Sequence, residues 1–164
     1  MTIRYITCCL LIVACAPMAY ASLDPLIGER EFRAASATLA QELGAHIKKT
    51  HTAPPLIGLT PIRNTTSEHI DTGLFASLLT RELLTYGIKV RNERHRADHD
   101  AKPSADPVAL LLSGEIRGIW AVDGENRVCT TFIILTLTDA KTRMILWTKD
   151  VSFRRIVPKR SLSF

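Results

Sequence analysis

Cysteine is nearly absent from the body of this 164-residue chain. Of four cysteines, Cys8, Cys9 and Cys15 crowd into the first fifteen residues, and only Cys129 lies beyond them. That distribution excludes a disulfide framework and a multi-cysteine zinc site from a domain built on the rest. Glycine is also sparse, and no two of the 8 glycines have the spacing of a dinucleotide fingerprint or a P-loop, so phosphate-cradling motifs are missing. HExxH, GxSxG and CxxC do not occur. The longest apolar stretch, Ile6 to Ala21, contains Pro17 and falls short of the ~20 residues a spanning helix needs. What remains is 46% hydrophobic and 23% charged, which argues for one globular domain and against a disordered chain. Lysine plus arginine outnumber aspartate plus glutamate 21 to 16, a formal +5, an excess that raises the question of nucleic acid.

The amino terminus bears on that question. Arg4 supplies a positive n-region, Ile6 to Ala14 an uncharged apolar core, and Ile12-Val13-Ala14-Cys15 the lipobox pattern of bacterial lipoproteins. Cleavage before Cys15 would leave that residue carrying palmitate-type acyl chains, more than one of which is enough for stable anchoring. Two other readings stay open: Ala19-Tyr20-Ala21 as a site releasing a soluble protein from Ser22, and an uncleaved anchor. Loss of Arg4 leaves 20 basic against 16 acidic residues, or +4. An exported chain meets no genome, so the charge is expected to serve contacts with lipid headgroups or acidic envelope polymer, not nucleic acid. The chain thus divides into a signal peptide (1–14), a lipidated cysteine with a short connector carrying Pro17, Pro25 and Gly28 (15–30), a folded domain (31–153) and a basic tail (154–164).

The domain reads as α/β, a small mixed sheet of about five strands with helices packed on it. Phe32, Ala35, Leu39, Leu43 and Ile47 form a stripe with helical spacing between Glu31 and Lys49. Pro54-Pro55 closes that segment, and Leu56 to Ile62 is a short apolar strand with Pro61 near its end. Arg63 to Glu68 is polar and turn-like. A second helix is expected from His69 to Tyr86, with Ile70, Leu74 and Leu78 on one stripe and Phe75, Leu79 and Leu83 beside it, and Gly87 suits the position after its C-cap. Ile88 to Val90 is the next strand, completing a βαβ unit that implies a parallel pair. Asn92 to Pro107 reads as a solvated loop. Three long strands follow: Val108–Val122, Val128–Thr138 and Met144–Phe153. Asp123-Gly124 marks the first hairpin. Ile133, Leu135 and Leu137 are set on one face of the middle strand, and Ile145, Trp147, Val151 and Phe153 on one face of the last. The tail from Arg154 is expected to be loose.

Chemistry-bearing residues are few. Cys129, in an apolar strand, suits a buried structural thiol. His95 and His99, with Asp98 and Asp100 beside them, have the spacing of metal ligands only if that loop is helical; the plainer reading is a solvated loop. Asn64-Thr65-Thr66 matches a glycosylation acceptor, which a bacterial export signal makes idle. Trp120 and Trp147 fall in strands, where core packing is the expectation and exposure would mark an interface. Lys48-Lys49 and Arg154-Arg155 with Lys159-Arg160 read as solvated ends. No catalytic set, cofactor or metal is expected.

From Gly58 to Thr72 the chain reads GLTPIRNTTSEHIDT. This run resembles the penicillin-binding-protein activator lipoproteins, the LpoB family, which place a strand and then an R-N-x-T-S-E-H-I-D-T segment before their main helix. EFRAASATLAQEL, LLLSGEIRGIW and FIILTLTDAKTRMILWTK support it in the same order, over roughly residues 31–153. The resemblance implies a non-catalytic outer-membrane lipoprotein facing the periplasm, with a domain similar to the amino-terminal domain of TolB and to the curli-secretion lipoprotein. It also implies regulation of peptidoglycan synthesis by binding a penicillin-binding protein. The contact is expected at Arg63, Asn64, Thr65, Ser67, Glu68 and His69, which otherwise would merely order the turn and cap the helix. The alternative is a structural subunit of an oligomeric outer-membrane or secretion assembly. The chain departs from the family pattern in its polar 94–107 segment, in Arg143 where the family has a turn glycine, and in its connector. From Cys15 to Glu31 the chain spans at most ~55 Å extended.

Overall fold

The structure, a computed structural model, describes residues 27–93 and 107–158. The signal peptide, Cys15, the His95–Asp100 run and residues 159–164 lie outside them. In chain order the elements are α1 (Glu29–Thr50), β1 (Ile57–Leu59), β2 (Arg63–Asn64), α2 (Thr72–Thr85), β3 (Val90–Asn92), β4 (Leu110–Asp123), β5 (Asn126–Asp139) and β6 (Ile145–Pro158). The result is an α/β domain whose six-stranded sheet has the order β3-β1-β4-β5-β6, with β2 also pairing β4. β1 and β2 run parallel to β4, and β1 parallel to β3. β4, β5 and β6 are antiparallel neighbours.

Each helix forms where the apolar stripe placed it. α1 buries Phe32, Ala35, Leu39, Leu43 and Ile47, joined by Ala40, Ser36 and Gly44. Glu29 and Glu31 in its first turn and Lys48 and Lys49 in its last complement the helix dipole. Thr72 opens α2, not His69, because Asp71 Oδ1 caps it by accepting the Leu74 N–H at 2.9 Å. Its end is a Schellman turn: Ile88 N–H donates to Leu83 O (3.2 Å) and Gly87 N–H to Leu84 O (3.0 Å), with Gly87 at φ 77°. Ile88 is thus part of the cap, buried against Leu83, and β3 begins two residues later than Ile88-Lys89-Val90 suggested.

Both helices lie on one side of the sheet. Leu110, Leu112 and Ile116 of β4 and Ile133, Leu135 and Leu137 of β5 join their apolar residues in one core cluster. Along β5 burial alternates residue by residue from Thr131 to Leu137, as a strand with one covered face requires. Trp147, Val151 and Phe153 of β6 pack partly buried against that core. Ile145 does not join them. A register shift at Leu137/Thr138 pairs Ile145 with Thr138, on the helix-free face, and leaves it 67% exposed.

Two further expectations are corrected. The strand expected over Leu56–Ile62 is only Ile57–Leu59: β1 stops before Thr60-Pro61, and pairing resumes as β2 at Arg63–Asn64, in the segment that looked like a turn. The tail is not loose from Arg154, because β6 continues to Pro158, with Thr130 paired to Arg154 and Asn126 to Pro158.

The two long hairpins close differently. Gly124 alone takes a positive φ, 58°, the pattern of a type II′ turn at Asp123-Gly124-Glu125-Asn126. At the β5–β6 turn Asp139 Oδ1 accepts the N–H groups of Thr142 (2.7 Å) and Lys141 (2.9 Å) and the Thr142 hydroxyl (3.0 Å). These bonds, the Thr142 N–H first among them, hold its carboxyl below the usual aspartate range. Arg143 follows at φ 63°, a left-handed conformation that costs a non-glycine residue about 1–2 kcal/mol. Arg143→Gly is therefore expected to stabilise the protein by about 0.5–1 kcal/mol once the entropy of glycine in the unfolded chain is deducted. A rise in urea midpoint at unchanged slope would register it.

Candidate functional site

Strand alternation puts Glu115 and Arg117 on the sheet side away from the helices, since their neighbour Ile116 points into the core. The parallel register sets Arg63 of β2 opposite Glu115 and Asn64 opposite Ile116. Arg117 grips Glu115 with two parallel bonds, Nε to Oε1 at 2.7 Å and Nη2 to Oε2 at 3.1 Å. That fork, aided by the Thr65 hydroxyl and the nearby charge of Arg63, holds the Glu115 carboxyl below the ordinary glutamate range. Glu115 therefore stays ionised throughout the neutral range, and the patch presents a bonded Glu115–Arg117 pair with Arg63 on the neighbouring strand.

The loop after β2 is built from its own side chains. Thr65 N–H donates to Ile116 O (2.9 Å), extending the ladder by one residue. Its hydroxyl lies 3.0 Å from the same carbonyl and 3.2 Å from Glu115 Oε1. Asn64 Oδ1 accepts the Thr66 N–H (3.0 Å) and hydroxyl (2.8 Å), while Asn64 Nδ2 donates to Glu68 O at 2.7 Å. The Glu68 N–H in turn donates to Thr66 Oγ1 at 3.2 Å. Such Asx-type bonds replace the regular ladder where the chain leaves the sheet.

The six residues expected to form the contact thus sort by task. Asn64 and Thr65 fix the loop, and Glu68 lends it backbone groups. Arg63, Ser67 and His69 are exposed and available to a partner. The helix cap, the alternative task considered for this segment, falls to Asp71. Reading the sequence missed Thr66, Glu115 and Arg117. The alternation Ser113, Glu115, Arg117 between buried residues was the only signal for the last two. Asn64→Ala is expected to speed exchange of the Thr66 amide about tenfold, the equivalent of one ~1.4 kcal/mol bond, with little change in global stability.

No protein-family model matches the sequence, and no curated protein does either. Solved structures do match. The LpoB C-terminal domain from Salmonella enterica overlays with a TM-score of 0.52 at 10% identity, covering 76% of this chain and 99% of that one. The LpoB C-terminal domain from Escherichia coli gives 0.52 at 11% identity over the same shares. The fold is LpoB-like. At such identities the likeness speaks for the fold and not for any residue's task.

Elsewhere the LpoB-like domain offers little chemistry. Cys129 is buried, its Sγ 3.9 Å from Thr131 Oγ1, as expected of a structural thiol. Among the described residues no group of three or more His, Cys, Asp or Glu side chains could hold a metal ion, and no helix is long and apolar enough to cross a membrane. His95 and His99 lie outside the described residues, as does Cys15.

Proposed function

We propose that this protein is a lipid-anchored periplasmic binding module of the outer membrane, held through Cys15, that regulates peptidoglycan synthesis by engaging a penicillin-binding protein. The observation that carries the contact surface is the Arg63–His69 loop, ordered by its own Asn64, Thr65 and Thr66 bonds and set beside the Glu115–Arg117 pair on the helix-free face. A loop pre-organised in this way loses little entropy on binding. The LpoB-like fold and the lipobox support the same reading.

Co-purification tests it. Lipidated protein in detergent is expected to retain a bifunctional peptidoglycan synthase, and an Arg63→Glu/His69→Glu variant to lose it. Equal recovery with both would refute the assigned surface, and no enrichment of any penicillin-binding protein over a Cys15→Ala control would refute the role.

One observation favours the second reading, a structural subunit of an envelope or secretion assembly. β6 pairs only with β5 among the described residues, leaving the far edge of a 14-residue strand open to strand addition. A monomeric mass by light scattering in detergent would exclude that reading.

A further inference from the structure

At one end of the sheet the long strands form an exposed tip. From Ile119 to Arg127 every residue is exposed, including Ile119 at 58%, Trp120 at 39% and Val122 at 67%, with Ile156 of β6 beside them at 57%. Trp120 and Val122 share the helix-side face, whereas Ile119 and Ile156 lie on the other. The apolar surface therefore wraps both faces of one ribbon. The guanidinium of Arg127 sits 4.8 Å from the centroid of the Trp120 ring, and Arg154 pairs with Asp123 across the tip at 3.3 Å. Counting Arg155 and Glu125, the tip carries three guanidiniums against two carboxylates.

The direction of α1 shows what this tip faces. Glu42 meets Lys149 at 3.7 Å, and the His46 ring lies 6.4 Å from that of Trp147. Moving toward the start of α1 thus means moving toward the end of β6. From Glu42 to Glu29 the helix rises about 20 Å, the length of about six strand residues beyond Lys149. The amino end of α1 is therefore directed toward the end of the sheet that carries the tip. The connector to Cys15 enters at that end, and its fourteen steps from Glu29 reach at most about 50 Å.

Resting on the lipid-anchored reading above, we infer that the β4–β5 tip, with the end of β6, is a membrane-contact site: it seats Trp120, Ile119, Val122 and Ile156 at the headgroup level of the phospholipid surface that holds Cys15. A ribbon with apolar residues on both faces fits a surrounding medium better than a single partner face. Tryptophan with arginine stacked on it suits the membrane interface, where the ring lies among headgroups and the guanidinium meets phosphate. Asp123 and Glu125 at the turn keep the tip from entering the hydrocarbon.

The test uses the full lipidated protein in vesicles of phosphatidylethanolamine and phosphatidylglycerol, with and without dibrominated acyl chains. In Trp147→Phe, which leaves Trp120 as the sole tryptophan, brominated lipid should quench emission severalfold more than in Trp120→Phe, which reports half-buried Trp147. Equal, weak quenching in the two, with Cys15 acylated by mass spectrometry, overturns the tip and leaves the anchor standing. Unacylated Cys15 would remove the anchor and this inference with it. Strong Trp120 quenching that disappears in Val122→Ser/Ile156→Ser, at unchanged thermal stability, establishes the contact.

Discussion

Cys15→Ala will abolish incorporation of an alkyne-tagged palmitate into this protein, from a strong labelled band to background. The reason lies in the order Ile12-Val13-Ala14-Cys15: only a cysteine offers the thiol that accepts a diacylglyceryl group and, after cleavage, the free amine for a further chain. Each buried methylene contributes about 0.8 kcal/mol, and one chain alone holds a protein only marginally. Losing all the chains at once therefore removes membrane association almost entirely, beyond anything a surface substitution does. The variant should persist as the uncleaved precursor or as the chain cut after Ala21, neither carrying label. Undiminished labelling in Cys15→Ala, or none in the parent, would count against the lipobox reading and favour the soluble form beginning at Ser22.

Phe75→Ala will cost about 3–5 kcal/mol, the range for truncating a fully buried aromatic. Phe75 sits on α2 with no solvent exposure, and its ring centroid is 5.3 Å from that of Phe32 on α1, tilted by 36°. Such a pair adds to the area term, and it joins the only two helices among the described residues. Leu79 and Leu83 of α2 and Leu39 and Leu43 of α1 are all fully buried in the same cluster, so little can collapse into the cavity. A domain stable by about 5–15 kcal/mol would lose a large share of its margin. Urea unfolding would show the midpoint falling steeply, with Phe75→Leu well under half as damaging. A loss below 1 kcal/mol would mean that the helices do not pack through this ring.

What could be read in the sequence was what periodicity records. The stripes of α1 and α2 and the alternation of β5 follow from one covered face, and Asp123-Gly124 and Gly87 are marked by residues that take a positive φ cheaply. The elements that escaped are held by backbone pairing instead. β2 exposes both of its side chains, so no apolar pattern announces it; its existence depends on Glu115-Ile116, about fifty residues away. The end of β6 escaped for the same reason, because Arg154 and Arg155 look like a solvated tail while their backbones complete the ladder with β5. Ile145 was assigned a face by counting in twos, and a single register shift at Leu137/Thr138 reversed it.

The same division runs through the candidate site. Arg63 to His69 could be nominated as a segment because its residues are contiguous and unusually polar beside a strand. The division of labour within it could not, since Asn64 and Ser67 look equally available until Asn64 is seen bonding to Thr66 and Glu68. Glu115 and Arg117 belong to the site through topology alone. Trp120 shows the opposite case: core packing is the expectation for a tryptophan in a strand, and Trp120 does share the face of Leu112 and Ile116, yet it is 39% exposed.

Site-specific photo-crosslinking from Ser67 in the lipidated chain, in growing cells, tests the central claim most directly. Ser67 is exposed and makes none of the bonds that fix the loop, so a probe there reports contact without disturbing the geometry. The expected adduct, identified by mass spectrometry, is a periplasmic segment of a penicillin-binding protein, lost when Arg63 is also changed to Glu. Adducts only with other copies of this chain, or none at all with the protein correctly acylated at Cys15, would contradict it.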